Sequence, residues 1–148
     1  MHQLDDKELS FFSLAENKKK IFFPFYSSTV PAGFPSPADD YIEQQLDLHE
    51  LMVKNPAATF FVRVEGESMQ NAGIFSGDIL VVDRSLNACS GKIVLATLNG
   101  EFTVKRLMIE NHEAFLVAEN PNFLPIPIST DADFQIFGVV TYVIHRAK

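Results

Sequence analysis

Ser68 and Lys105 are the two residues whose types and surroundings could do chemistry. The serine lies in Val64-Glu65-Gly66-Glu67-Ser68-Met69, ahead of Gly77-Asp78 and the apolar run Ile79-Leu80-Val81-Val82. The lysine follows thirty-seven residues later, in Gly100-Glu101-Phe102-Thr103-Val104-Lys105-Arg106-Leu107. A serine hydroxyl is a poor nucleophile at neutral pH, so acyl transfer needs a base beside it, and a lysine amine can serve if its pKa is lowered. Such a pair needs no histidine. Taken singly the two residues are undistinguished: a serine in a glycine-containing loop is usually a turn or cap residue, and a lysine in a strand is usually solvated.

The elements that must carry this pair are mostly β. Phe60-Phe61-Val62-Arg63-Val64, Asp78 to Asp83, Lys92 to Leu98, Glu101 to Leu107, Ala114 to Val117 and Phe137 to Val143 are short β-branched or aromatic runs. Gly77-Asp78, Asn99-Gly100 and Asn120-Pro121-Asn122 separate them. Asn99-Gly100 predicts a two-residue hairpin that sets the strand of Lys105 antiparallel to the strand before it. For Lys105 to act as a base its pKa must fall from about 10.4 toward 7, worth about 4 kcal/mol, which requires desolvation. Phe102, Val104 and Leu107 are the neighbours that could exclude water. Arg106 is expected on the opposite face, because side chains alternate along a strand.

Ahead of the strands two short helices are expected. Ser36-Pro37-Ala38-Asp39 has the serine, first-turn proline and acidic residue of a helix start, leading into Asp40 to Leu46. Asp47-Leu48-His49-Glu50 repeats the capping logic, with Leu48, Leu51 and Met52 as an apolar side suited to packing on a sheet and Asn55-Pro56 as a stop. The first 32 residues differ again. They carry Asp5, Asp6, Lys7 and Glu8, then Lys18-Lys19-Lys20, Ile21-Phe22-Phe23-Pro24-Phe25 and a Ser/Thr/Pro/Ala/Gly stretch. Such a segment is expected to be a flexible arm, too short for a helix-turn-helix domain with its own core.

Composition narrows the class. With 148 residues, 47% of them hydrophobic, and fourteen phenylalanines, one substantial core is expected and not two. The net charge of −7 argues against tight direct binding to DNA, whose affinity comes mostly from Lys/Arg contacts to phosphates. Cys89 is the single cysteine, so no intrachain disulfide forms and a reducing cytoplasm is the expected location. It lies in the turn-like Asn87-Ala88-Cys89-Ser90-Gly91 and is expected to be structural. His2, His49, His112 and His145 are scattered without ligand spacing, so neither a metal nor another cofactor is expected. Residues 21–25 are too few, and interrupted by Pro24, to be the apolar region of a secretory signal, and no stretch approaches the roughly 20 apolar residues of a membrane span.

The blocks around Ser68 and Lys105, with their spacing, closely resemble the catalytic core of the LexA/UmuD self-cleaving Ser/Lys peptidase family. The resemblance runs over residues 31–143 and is strongest to the UmuD side, the accessory subunits of error-prone DNA polymerases. Ala32-Gly33-Phe34-Pro35-Ser36-Pro37-Ala38-Asp39-Asp40-Tyr41 resembles the stretch that spans the family's self-cleavage bond, which precedes a glycine. UmuD itself commonly has cysteine where Ala32 stands, and alanine is usual in LexA-type repressors. Asp133-Phe134-Gln135-Ile136-Phe137-Gly138-Val139-Val140 resembles the closing strand.

The resemblance implies a folded-over β-sheet peptidase domain over residues 33–148, preceded by an arm, residues 1–32, that is removed by cleavage at Ala32-Gly33. Ser68 would be the nucleophile and Lys105 the general base. It further implies an SOS-response protein whose cleavage is stimulated by a RecA filament on single-stranded DNA. The remainder would form a homodimer that joins a Y-family, UmuC-like polymerase subunit in translesion synthesis. Two other readings are weaker. A LexA-like repressor would need a DNA-binding domain that the first 32 residues are too short to supply. A trans-acting Ser/Lys processing peptidase of the signal-peptidase kind would have a membrane anchor or an extended substrate groove, and a glycine-aspartate element where Leu107-Met108-Ile109-Glu110-Asn111 follows the lysine.

Overall fold

The computed structural model describes residues 11–12, 20–26, 29–35 and 43–148. In chain order its strands and helix are β1 Phe11–Phe12, β2 Phe23–Tyr26, β3 Glu43–Leu46, α1 Leu48–Met52, β4 Thr59–Arg63, β5 Ile79–Asp83, β6 Ile93–Leu98, β7 Glu101–Glu110, β8 Glu113–Val117, β9 Ile126–Ile128 and β10 Phe134–Ile144. The chain divides into two compact units, Ala15–Lys54 on one side and Met1–Leu14 with Asn55–Lys148 on the other.

The larger unit is one antiparallel sheet in the order β1-β4-β5-β10-β6-β7-β8-β9. A mostly β protein was expected, and the six strands expected after Thr59 are all present. The sheet has apolar residues on both faces of its centre. Leu95 of β6 joins Val62, Met69, Ile74, Leu80, Val82 and Val104 in one buried cluster, whereas its neighbours Val94 and Ala96 join Leu107, Leu116 and Val139 in another. That division follows from the alternation of side chains across a strand. It also explains why β5 reads as a continuous Ile-Leu-Val-Val run: Leu80, Val81 and Val82 are all fully buried.

Tight turns set the register. Asn99 and Gly100 both have positive φ, 51° and 85°, and Leu98 pairs with Glu101, which is the two-residue hairpin that Asn-Gly favours. Asn111 and His112 make the corresponding connection between β7 and β8, with φ of 51° and 65° and Glu110 paired with Glu113. That second turn was not legible beforehand, because Asn111-His112 lacks the glycine that marks a two-residue hairpin. Gly138 in β10 has a different reason. The register shifts between Ile136 and Gly138, and a Cβ there would lie 2.6 Å from Val82 Cγ1 and 3.0 Å from the Asp83 carbonyl oxygen.

The smaller unit corrects two expectations. A helix was expected over Asp40 to Leu46, but Glu43–Leu46 is a strand, paired antiparallel with Phe23–Tyr26 so that Phe23 faces Leu46 and Tyr26 faces Glu43. Glu, Gln and Leu are good helix formers, yet a long-range partner that supplies a ladder of backbone hydrogen bonds outweighs that local preference. The helix start at Ser36 to Asp39 lies outside the described residues. Asp47 does cap α1, its side chain accepting from His49 N–H at 3.0 Å. The apolar side of α1 is not packed away, however: Leu48 and Leu51 are exposed. Among the described residues no helix is long and apolar enough to cross a membrane, and no group of three or more His, Cys, Asp or Glu is placed to hold a metal ion.

Candidate active site

Ser68 sits in the excursion between β4 and β5, and the ends of that excursion are closed by backbone bonds. Val64 N–H donates to the Asp78 carbonyl at 2.9 Å and Gly77 N–H to the Val64 carbonyl at 2.7 Å. Within it Gly66 adopts φ of 98°, a conformation that costs a residue with a Cβ, and its N–H reaches Ser76 Oγ at 3.3 Å. Met69 is buried in the first core cluster and its carbonyl accepts from Ala72 and Ile74, so the residue after the serine is anchored. The buried carboxylate of Asp78 braces the far side, taking Phe75 N–H at 2.8 Å and meeting His145 Nδ1 at 2.6 Å. Ser68 is half-buried on this support.

Lys105 is in the middle of β7, opposite the fully buried Val94 of β6. Its Nζ lies 3.1 Å from Ser68 Oγ, 2.7 Å from Thr103 Oγ1 and 3.2 Å from the Val104 carbonyl oxygen. Desolvation by burial lowers its pKa from the ordinary 10.5. Charge state decides the direction of the serine contact. An ammonium has three hydrogens and can donate to all three oxygens; a neutral amine has two hydrogens and a lone pair. In the neutral form the carbonyl can only accept, so the hydroxyls share the remaining hydrogen and the lone pair, and Ser68 O–H can donate to Nζ. That is the arrangement a base needs toward its nucleophile.

Arg106, the next residue, has other partners: its Nε meets Glu119 Oε1 at 2.5 Å and its guanidinium donates to the Gly91 carbonyl at 2.7 Å. The alternation expected of the strand thus gives Lys105 and Arg106 separate partners. Two contributors were missed from sequence. Thr103 is two residues from the lysine on the same strand, hence on its side, a spacing that could have been noticed. Asn120 looked only like turn punctuation, but it is buried and its side-chain amide donates to the Glu67 carbonyl at 2.8 Å, immediately before Ser68.

Ala32 and Gly33 belong to the smaller unit, in an exposed bend where a Cβ on Gly33 would meet nothing within 4 Å. The flanking apolar residues Val30 and Phe34 are 88% and 90% exposed, so the whole segment is open backbone and unburied side chains. Cys89 is exposed and free. Of the histidines, His2 lies outside the described residues, His112 is in a hairpin turn, His49 is in α1 and His145 is with Asp78.

Residues 24–141 match the family model described as Peptidase S24-like. The chain is 48% identical over 126 residues to Protein ImpA of Salmonella typhimurium, covering 84% of this chain and 85% of that one. It is 48% identical over 120 residues to Protein MucA of Escherichia coli, covering 80% and 82%. It is also 39% identical over 118 residues to the LexA repressor of Pseudomonas chlororaphis, covering 79% of this chain and 58% of the repressor.

Proposed function

The chain belongs to the S24 peptidase family, on its UmuD-like side, and from that premise we propose that it is an SOS-response protein that cleaves itself at Ala32-Gly33 with Ser68 and Lys105. The observation that carries the reading is the 3.1 Å contact between Lys105 Nζ and Ser68 Oγ, joined to the lowered pKa of the lysine. Neutral Lys105 takes the proton as Ser68 Oγ bonds to the Ala32 carbonyl carbon. Breakdown of the tetrahedral species breaks the Ala32 to Gly33 carbon–nitrogen bond, and the proton passes from Nζ to the Gly33 amine. Water then attacks the Ala32 ester, again giving a proton to Lys105, and Ser68 recovers its own. The N–H groups of Ser68 and Met69, which have no acceptor among the described residues, are the donors for the oxyanion.

The open backbone around Gly33 suits this role, since a scissile segment must lie extended beside the nucleophile. Removal of residues 1–32 leaves residues 33–148 as a homodimer that joins a Y-family, UmuC-like polymerase subunit in mutagenic translesion synthesis. A RecA filament on single-stranded DNA promotes the productive placement of the segment. The acidic chain itself needs no DNA-binding surface for that, and the work is cytoplasmic.

Intact mass after incubation with RecA, single-stranded DNA and a nucleoside triphosphate, or at alkaline pH, is expected to show a product beginning at Gly33. A product beginning elsewhere refutes the site, and no product refutes the activity. The accessory role has its own test. A shortened chain of residues 33–148 carrying Ser68→Ala is expected to restore damage-induced mutagenesis in a host lacking its own copy, given the cognate polymerase subunit, whereas full-length Ser68→Ala is not. Failure of both, with normal expression, counts against that role.

A further inference from the structure

The nucleophile and its base come from different parts of the chain, and a short segment after β8 touches both. Glu119 and Asn120 lie between β8 and β9 and make three contacts to the turn that carries Ser68. Asn120 Nδ2 donates to the Glu67 carbonyl at 2.8 Å, Glu119 N–H points at Met69 Sδ at 3.4 Å, and the Glu119 carbonyl accepts Asn71 N–H at 2.9 Å. Asn120 is itself buried, and its Oδ1 accepts Asn122 N–H at 3.0 Å within the segment. The residues held, Glu67, Met69 and Asn71, bracket the serine on both sides. At its other end the segment is tied to the strand of the base, because the Glu119 carboxylate pairs with Arg106, the residue next to Lys105. Arg106 in turn is fixed by the Gly91 carbonyl.

We propose that Glu119 and Asn120, anchored by Arg106, are positioning residues that clasp the Ser68 turn onto strand β7 and so set the separation between the serine hydroxyl and the lysine amine. The inference rests on the Ser68/Lys105 reading but concerns other residues. Its physical content is that a nucleophile and base must stay within hydrogen-bond reach, and the turn has to be held there from outside. The excursion contains Gly66, Gly73 and Gly77, all with positive φ, and among the described residues the Ser68 side chain bonds only to the lysine. A turn released from the clasp lets water reach the amine that burial now desolvates.

Two readouts separate positioning from general support. The first is the rate of self-cleavage of the full-length chain at alkaline pH, expected to fall about tenfold to a hundredfold in Asn120→Ala and in Glu119→Ala, since misplacement by about 1 Å can cost that much. The second is the titration midpoint of Lys105, followed by carbon-13 NMR of its ε-methylene in a Ser68→Ala background that keeps the chain intact and leaves the clasp contacts in place. The charged residues on the elements around the amine are Glu65 and Glu67 of the turn, Lys92 before β6, Glu101, Arg106 and Glu110 of β7, Glu113 of β8, and Glu119.

Removing the Glu119 charge alone would stabilise the ammonium less and move the midpoint down. Release of the clasp rehydrates the amine and moves it up. An upward shift in both variants, with slower cleavage, supports the inference. Undiminished cleavage, an unchanged midpoint, or a downward shift in Glu119→Ala overturns it. Glu119 is partly exposed, so its variant decides the matter if Asn120→Ala does not fold. If the unaltered chain never cuts, the peptidase reading fails, while the Lys105 titration still decides the clasp.

Discussion

The two compact units handle apolar residues in opposite ways. In the sheet unit Leu80, Val81, Val82, Val94, Leu95 and Leu116 are all but inaccessible to solvent; in the smaller unit Ile21, Phe22, Phe23, Phe25 and Tyr26 are exposed, as are Val30 and Phe34 beside the proposed cut. The first arrangement produces rigidity. The dyad is held between a bulged, two-faced sheet and a braced turn, where a shift of a few tenths of an ångström would be felt throughout a close-packed interior. The second arrangement leaves a segment with little burial to hold it in one place, which is what a substrate carried on its own chain requires.

The largest effect that can sharpen the contrast is removal of the dyad. Ser68→Ala and Lys105→Ala are each expected to abolish self-cleavage while the chain stays folded, a loss of a thousandfold or more, since one removes the proposed nucleophile and the other its proposed base. Intact mass and circular dichroism check the two halves of that statement. Normal cleavage by Lys105→Ala would make the base something else.

The pH dependence tests the burial of the lysine. Because only the neutral amine accepts the serine proton, the cleavage rate should rise with pH, about tenfold per unit below the Lys105 pKa, and level off before the ordinary value of 10.5. A rate flat from about pH 6 to 10 would contradict the role. Stability follows the same sign. A lysine whose folded pKa lies below its unfolded value binds fewer protons when folded, so unfolding should become harder as pH rises from the folded pKa toward 10.5. Denaturant melts of the Ser68→Ala chain across that window would show it. Lys105→Met should remove the slope.

Smaller effects distinguish core from surface. Leu80→Ala and Leu95→Ala, which open cavities in the fully buried first cluster, should each cost about 2–5 kcal/mol in denaturant unfolding. Gly138→Ala should cost about 1–3 kcal/mol, because its Cβ must displace Val82 and the Asp83 backbone at the bulge. Phe25→Ser and Phe34→Ser, both exposed, should stay within about 0.5 kcal/mol. If Phe34→Ser nevertheless slows cleavage, that side chain matters to placement of the segment and not to folding. A large stability loss at Phe25 would erase the contrast between the units.

Much of the sheet unit was legible residue by residue. Alternating and continuous apolar runs mark strands and Asn99-Gly100 marks a hairpin, each because a local conformational preference coincides with what the fold needs. The smaller unit was less legible. Glu43 to Leu46 favours a helix locally, and only pairing with the aromatic strand Phe23–Tyr26 makes it extended. The partners are about twenty residues apart, joined by a long Ser/Pro/Gly-rich stretch and not by a two-residue hairpin turn that would fix their pairing, so no short window along the chain contains both halves of the cause.

The site divides in the same way. Ser68 and Lys105 could be picked out as a pair because their flanking residues form recognisable blocks, and the strand around Lys105 already announced a partly apolar setting. What linear order could not say is which carbonyls and side chains hold them in reach. Asn120 is fifty-three residues from the Glu67 carbonyl it binds, and Glu119 comes thirteen after the Arg106 it pairs with. Chain composition sets which residues can bond and which must be buried, since hydrophobicity and hydrogen-bonding capacity belong to each side chain. Distances of 3 Å between residues far apart in sequence, and the desolvation that lowers the pKa of Lys105, arise only when the sheet closes and excludes water, because both depend on what the rest of the chain places alongside.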